Sequence, residues 1–272
     1  MQRFALDARK NGNRIGVVPT MGYLHDGHAS LIREARSQSD VVITTIFVNP
    51  LQFAPNEDFT RYPRNLEGDM QLAEEAGCDV LFTPTAEEMY PPDFNLTISI
   101  GGVTAPFEGV SRPTHFDGVA TVVAKLLTLT QPDKAFFGQK DYQQCMVVKK
   151  LVNDLALPHE IVVCPTRRET DGLAMSSRNV YLSPEDRLKA TILYKALQSA
   201  QDRIVQGERR RARIEEVLQE VLRQEDGIRI DYAAAADSET LEQAEEFPQS
   251  RSIVLLLAVR FGTTRLIDNL VV

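Results

Sequence analysis

Two of the chain's four histidines, His25 and His28, fall in one loop-like stretch, VPTMGYLHDGHASL, running from Val18 to Leu31. Gly22 and Gly27 have the spacing of a phosphate-binding P-loop, but His28 and Ala29 stand where that loop needs a lysine and a magnesium-ligating hydroxyl. The P-loop mechanism therefore fails. A dinucleotide fingerprint fails too, because no G-x-G-x-x-G follows the first apolar run, and a zinc site on His25 and His28 lacks an evident third ligand. What remains is a strand-to-helix turn with two imidazoles near the helix start. Backbone N–H groups and the helix dipole favour an anion there, and an imidazole donating to a phosphate oxygen supplies part of what a lysine would. On this stretch alone the simpler alternative, that both histidines only cap the helix, stays open.

Three further stretches carry polar groups suited to a small anionic substrate. In IFVNPLQF (46–53), Asn49-Pro50 ends a strand and presents Gln52, whose amide both donates and accepts. In FFGQKDYQQ (136–144), a glycine closes a strand and Lys140 and Asp141 stand at a helix start. Lys140 can reach phosphate there, while Asp141 either caps the helix or accepts from ribose hydroxyls, and Gln143 or Gln144 can face the same side. In DGLAMSSRN (171–179), two serines and an arginine follow a glycine, which suits a loop closing over a polyphosphate as well as it suits a domain linker.

The elements that must position these groups alternate through the first two thirds of the chain. Apolar, β-rich runs at 14–20, 41–49, 79–84, 134–139 and 160–166 are separated by helical patterns, including 118–131 and 141–155. Near-continuous apolar strands between helices predict a parallel sheet covered on both faces, and such sheets bind ligands at the carboxyl ends of their strands. The fold class expected is α/β, a Rossmann-like doubly wound sheet over residues 1–178, followed by a smaller α+β domain over 179–272. In the second part, Ser183 and Pro184 predict a helix start, a charged helix is expected at 209–224, and 229–237 and 251–272 read as antiparallel strands with a turn near Gly262.

Composition narrows the class of partner. Among 272 residues the net charge is −8, which argues against a general nucleic-acid or anionic-membrane surface without forbidding a local basic pocket. Three scattered cysteines, Cys78, Cys145 and Cys164, show neither zinc nor disulfide spacing and point to a reducing compartment. The longest apolar run, IVLLLAV from Ile253, is too short to span a bilayer, and the opening MQRFALDARKNGNR lacks the apolar core of a signal peptide. A cytoplasmic location is expected.

With these stretches in view, the chain resembles the pantothenate synthetases, also called pantoate–β-alanine ligases. PTMGYLHDGH, IFVNPLQF, YPR with its following helix, SRPTHFDGV, FFGQKDYQQ and DGLAMSSRN occur in that family's order and spacing, densest between 14 and 182. Six ordered motifs are far more specific than any one of them. The family belongs to the nucleotidyltransferase superfamily of class I aminoacyl-tRNA synthetases, in which an HIGH-type segment and a KMSKS-type loop hold ATP. HDGH looks like the first and MSSRN like the second, with Arg178 where a lysine often stands.

The resemblance implies ATP-dependent condensation of (R)-pantoate with β-alanine through pantoyl adenylate, releasing AMP and pyrophosphate, with Mg²⁺ as cofactor and a homodimer as the assembly. It implies His28, His25 and Lys140 as catalytic. ATP contacts are implied along Met21, Gly22, Tyr23, Leu24, His25, Asp26, Gly27 and His28, then at Gly138, Gln139, Lys140 and Asp141, at Arg167, and along Met175, Ser176, Ser177 and Arg178. Gln52 and Gln144 are implied to hold pantoate, with Gln52 also near β-alanine, and Arg112 and Tyr62 to line the pocket. Some positions depart from the family pattern: Gln139 replaces a common glutamate, Arg167 a small apolar residue, and Gly68 an acidic residue seen near magnesium in some members. That leaves Asp69 as the metal-linked position. The alternatives are another adenylyl- or cytidylyltransferase of the superfamily, against which Gln52 and Gln144 argue, and a non-catalytic nucleotide sensor.

Overall fold

A computed structural model describes residues 1–55 and 57–272, which form two compact units, Met1–Pro165 and Thr166–Val272. In the first unit, strands β1 (Ile15–Thr20), β2 (Val41–Ile46), β3 (Val80–Phe82), β4 (Lys134–Gly138) and β5 (Glu160–Cys164) form one sheet in the order β3-β2-β1-β4-β5. Every pairing is parallel, as expected from the apolar runs. The helices are α1 (Gln2–Lys10), α2 (Asp26–Gln38), α3 (Leu66–Glu75), the short α4 (Ala86–Met89) and α5 (Glu108–Ser111), α6 (His115–Thr130) and α7 (Tyr142–Asp154).

Successive side chains of a strand point to opposite faces, and here both faces are dry. Val17, Ile43, Ala135 and Phe137 pack with α1, α6 and α7, whereas Val18, Val42 and Phe136 pack with α2 and α3. Aspartates tie down the amino ends of the strands. Asp133 accepts from Ile15 N–H at 2.7 Å, Asp79 from Val42 N–H at 2.7 Å, and Asp40 from Arg14 N–H at 2.9 Å. These bonds satisfy backbone donors that the sheet leaves open and leave the opposite, carboxyl edge to the loops that bear His25, His28, Gln52 and Lys140.

The second unit packs α8 (Pro184–Lys189), α9 (Ile192–Val205) and α10 (Arg211–Leu222) with an antiparallel sheet β6 (Ile228–Asp237), β7 (Ile253–Phe261) and β8 (Thr264–Val271), in the order β6-β7-β8. Leu193, Leu197, Ile214 and Leu218 meet Ala235, Leu255 and Leu257 in its core. Ser183 caps α8 by accepting from Asp186 N–H at 3.1 Å, and Gly262, at φ 56°, turns β7 into β8. The helical pattern after Ser183 breaks between Lys189 and Ile192 into two helices.

The division between units falls after Pro165, earlier than the 178/179 boundary expected from the sequence. Residues 166–178 belong with the second unit for physical reasons. The Arg168 guanidinium forks on buried Asp268 at 2.6 and 2.9 Å and stacks 4.0 Å over Tyr194, while Leu173 enters the second core. The separation of Arg168 and Asp268 along the chain hides this from any local reading.

One glycine joins the fold to the site. Gly118 lies inside α6, where glycine costs helix stability, and a Cβ there would collide with the Leu51 carbonyl and stand 2.6 Å from Gln52 N. The helix backbone thus approaches the turn that bears Gln52 as closely as glycine allows. Gly118→Ala is expected to destabilise the chain by about 1–3 kcal/mol, as overpacked cores do, read as a lowered midpoint in denaturant unfolding. An unchanged midpoint would mean the contact is slack.

Candidate active site

The turn after β1 is built around its two imidazoles. Thr20 closes the strand by donating to Thr45 O (2.6 Å) and accepting from Gly22 N–H (3.2 Å). His25 is the N-cap of α2, with Nδ1 accepting from Gly27 N–H at 3.2 Å, while His28 Nδ1 accepts from His25 N–H at 3.3 Å. This is a reciprocal capping box made of histidines. The capping reading and the anion reading are therefore compatible. With the Nδ1 lone pair of each ring used on the backbone, the neutral tautomer carries its hydrogen on Nε2. The ring centroids lie 4.1 Å apart.

Both rings are neutral at pH 7. Burial, then the Lys140 charge, pushes His25 down to about 4. Burial, then His25 and Lys140, holds His28 well below the ordinary imidazole range. His28 thus offers a hydrogen bond from Nε2–H rather than a loosely held proton, and the positive charge beside the pair is that of Lys140.

Lys140 reaches this place from the neighbouring strand. β1 and β4 are adjacent, and their crossovers lie on opposite faces: α2 follows β1 on one, α7 follows β4 on the other. That makes β1/β4 the switch point at which doubly wound sheets bind ligands. Gly138 ends β4, and a 3-10 turn of Gln139–Asp141 follows. Lys140 Nζ lies 3.7 Å from Asp141 Oδ1, and the Asp141 side chain makes no capping bond on α7. The two adjacent glutamines separate cleanly. Gln143 is buried, accepting from Glu108 N–H (3.0 Å) and donating to Val103 O (2.9 Å) and Pro106 O (2.7 Å). Gln144 is half-buried and has no side-chain hydrogen bond among the described residues.

Gln52 is held by a network of fixed polarity. The Gly118 carbonyl can only accept, so it pins Asn49 Nδ2 (3.1 Å), which also donates to Gln52 Oε1 at 3.1 Å. Asn49 Oδ1 accepts from Tyr90 O–H (2.7 Å) and Leu51 N–H (3.3 Å). Gln52 consequently turns its oxygen inward and its Nε2 toward Met21 Sδ, 3.1 Å away. Sulfur is a weak acceptor, so the Gln52 Nε2–H group keeps most of its donor capacity. Its main-chain carbonyl accepts from His115 Nδ1–H (2.9 Å) and Arg112 Nη2–H (3.2 Å). His115 Nε2 then bears a lone pair and accepts from Arg112 Nη1 at 3.1 Å. Arg112 forks on Glu57 at 2.5 and 2.7 Å. Burial, then Arg112, pushes His115 down to about 4.

The resemblance implies Arg112 in the pocket wall, and its guanidinium bonds Glu57, His115 and the Gln52 carbonyl. Tyr62 is buried, edge-on to Phe53 at 6.1 Å between centroids. His115, Asn49 and Glu57 were not singled out as functional. A histidine at the head of the largely apolar helix His115–Thr130 is the one local signal for the first.

Asp69, expected to be metal-linked, is 3% exposed. Its Oδ2 accepts from Tyr23 N–H at 2.9 Å and its Oδ1 from Leu24 N–H at 2.6 Å. A side chain at the neighbouring Gly68 would begin 2.5 Å from Nδ2 of Asn65, the cap of α3. No group of three or more His, Cys, Asp or Glu side chains among the described residues is arranged for a metal ion. The residues at this position do not fit a protein-held magnesium.

The remaining expected ATP contacts lie in the second unit. Arg168 and Ala174 bridge across a turn at Gly172 (φ 94°), and Met175 N–H donates to Arg167 O at 2.9 Å, so Arg167 and Met175 face each other. Ser176 Oγ accepts from Arg178 N–H at 3.3 Å and caps the 3-10 turn Ser177–Tyr181, in which Ser177 is buried and Arg178 half-buried.

His25 and His115, both held down to about 4, have a stability consequence. An unfolded chain protonates these rings around 6.5, whereas the folded chain resists protonation to about 4. Between those values the unfolded state binds more protons, so stability falls as pH drops from 6.5 to 4. Denaturant midpoints at pH 7 and pH 5 are expected to differ, and His115→Gln to narrow the difference. An equal gap in the variant would show that His115 titrates normally.

The profile of the pantoate-beta-alanine ligase family matches residues 1–271. A pantothenate synthetase from Geobacter sulfurreducens is 52% identical over 271 residues, covering 100% of this chain and 95% of that one. One from Roseiflexus is 54% identical over 256 residues, 94% of this chain and 91% of that one. Among solved structures, pantothenate synthetase from Thermus thermophilus aligns with a TM-score of 0.91 at 48% identity, covering 98% of this chain and 96% of that one. Pantoate-beta-alanine ligase from Francisella tularensis, complexed with beta-gamma ATP and beta-alanine, aligns at 0.78 with 36% identity, covering 98% and 94%. With the histidine turn, Lys140 and Gln52 gathered at the strand ends where the motif order predicts them, the chain belongs to the pantoate–β-alanine ligase family.

Proposed function

We propose that the chain joins (R)-pantoate to β-alanine at the cost of ATP, through pantoyl adenylate. Family membership supports the substrates. The observation that carries the mechanism is the pair of neutral imidazoles held as Nε2–H donors beside the Lys140 ammonium, with Gln52 fixed as a donor amide.

In the first step a pantoate carboxylate oxygen attacks the α-phosphorus of ATP. The new P–O bond forms as the bond to the β-phosphate oxygen breaks, and pyrophosphate leaves. Negative charge grows on phosphate oxygens, and the two Nε2–H groups and Lys140 stabilise it without reorganising. Gln52 Nε2–H and the Gln144 amide hold pantoate in line. In the second step the neutral amine of β-alanine attacks the adenylate carbonyl. The C–N bond forms, the C–O bond to AMP breaks, and the proton that the amine loses passes to water. Neither step requires a nucleophilic side chain. Arg167, Met175, Ser176, Ser177 and Arg178 supply further ATP contacts in this reading. Mg²⁺ is proposed to arrive as the counter-ion of ATP, since Asp69 does not suit it. The proposed assembly is a homodimer, on the strength of family membership. The proposed location is the cytoplasm, which suits three cysteines that are all unpaired.

Omitting one reactant at a time tests the reaction order. Pyrophosphate release is expected to require ATP and pantoate but not β-alanine; release without pantoate, or none in the full mixture, would overturn the reading. His28→Ala and Lys140→Ala are each expected to slow that half-reaction by on the order of 10²-fold or more, with unfolding midpoints retained. Near-normal rates in both would remove their catalytic assignment. Gln52→Ala is expected to raise KM for pantoate, and Gln52→Glu to raise it at least as far, because an acceptor replaces the donor. A change confined to KM for ATP would place Gln52 elsewhere.

A further inference from the structure

The turn that nearly spells a P-loop also has part of a P-loop's backbone. Gly22 and Tyr23 both adopt positive φ, 84° and 51°. Backbone of this kind can direct successive N–H groups into a concave anion-binding nest. Here the N–H groups of Tyr23 and Leu24 converge, but the anion that they hold is the carboxylate of Asp69, at 2.9 and 2.6 Å. Asp69 comes from the first turn of α3, is almost wholly buried, and touches the turn so closely that a Cβ on Gly22 would stand 3.0 Å from its Oδ2. A phosphate cannot use these donors while the carboxylate occupies them.

We propose that Asp69 is a positioning residue for the reaction, an internal anion that occupies the loop's own nest and so fixes the histidine capping box with both Nε2–H groups presented to substrate phosphate. The chain of contacts is short. The carboxylate fixes Tyr23 and Leu24; the next residue is His25, whose N–H supports His28 Nδ1 and whose Nδ1 receives Gly27 N–H. Tyr23 sits in a region that side chains rarely adopt, and two charge-assisted hydrogen bonds offset that cost. Residues ahead of the helix thereby determine which nitrogen of each ring carries the hydrogen. The role rests on the proposed adenylate-forming reaction for its kinetic readout, but the imidazole tautomers can be measured without any substrate.

The test compares Asp69→Ala and Asp69→Asn with the unchanged chain in three measurements. The first is kcat and KM in pantoate-dependent pyrophosphate release. A large fall in kcat is expected for Asp69→Ala, on the order of 10²-fold, with a smaller fall for Asp69→Asn, which keeps one acceptor oxygen. The half-saturating Mg²⁺ concentration should not move. The second is chemical rescue, in which added formate restores part of the kcat of Asp69→Ala by refilling the nest, and chloride at equal ionic strength does not. The third is imidazole ¹⁵N NMR, which should show Nε2–H tautomers for His25 and His28 in the unchanged chain and a tautomer mixture in Asp69→Ala.

Unchanged kcat in both variants, or a loss recovered by extra Mg²⁺ and not by formate, would overturn the proposal, the latter by making Asp69 a metal ligand. Should Asp69→Ala fail to fold, Asp69→Asn carries the kinetic and NMR comparison alone, and unaltered tautomers with unaltered kcat there would be decisive against it. If the unchanged chain releases no pyrophosphate, the functional reading fails, and the NMR comparison still decides whether Asp69 sets the tautomers.

Discussion

An imidazole has two nitrogens, and the design of this site follows from giving one of each pair to the backbone. His25 and His28 use Nδ1 to cap the helix that carries them, so structure and chemistry draw on different atoms of the same ring. The cap selects the tautomer, and burial keeps the rings uncharged. Charge then comes from Lys140, on the adjacent strand end, and hydrogen-bonding direction from the imidazoles. A P-loop combines these duties in a lysine and a run of backbone N–H groups; in the proposed reaction they are divided among separate side chains, because the Tyr23 and Leu24 N–H groups face an internal carboxylate.

The parallel sheet makes that division possible. Buried strands with aspartate-tied amino ends form a rigid base, and the reversal of crossover direction between β1 and β4 places two loops side by side at the other edge. The Gln52 turn hangs from the end of β2 and is fixed from behind by Asn49, Gly118, His115 and Arg112. None of these groups has to move to complete a hydrogen bond. That is the arrangement electrostatic catalysis favours, in which donors are aimed before charge develops.

Much of this was legible in the sequence, and the limits have physical reasons. Strands buried on both faces read as apolar runs, so all five were recognised, and Ser183-Pro184 signalled a helix start because capping is local. Distant partnerships left no local trace. The second compact unit begins at Thr166 rather than near 179, and within it Arg168 answers to Asp268, a hundred positions on. The helix after Ser183 breaks near Ala190, although its composition suits continuation. Gln143 and Gln144 could not be told apart, since what separates them is the backbone of residues 103–108. Asp69 carried the chemistry of a metal ligand by type, and its burial against Tyr23 and Leu24 becomes visible only in three dimensions.

Histidines spaced three apart at a helix start invite a transition ion, yet this pair is chemically disarmed toward one. A ring nitrogen coordinates through its lone pair, and here that pair is already engaged at Nδ1 while Nε2 bears hydrogen. Coordination through Nε2 would demand moving the hydrogen to Nδ1, which would then confront a backbone N–H and unfasten the first turn of α2. Resistance to zinc or nickel is therefore tied to the way the helix begins, because each Nδ1 is already spent on a backbone N–H.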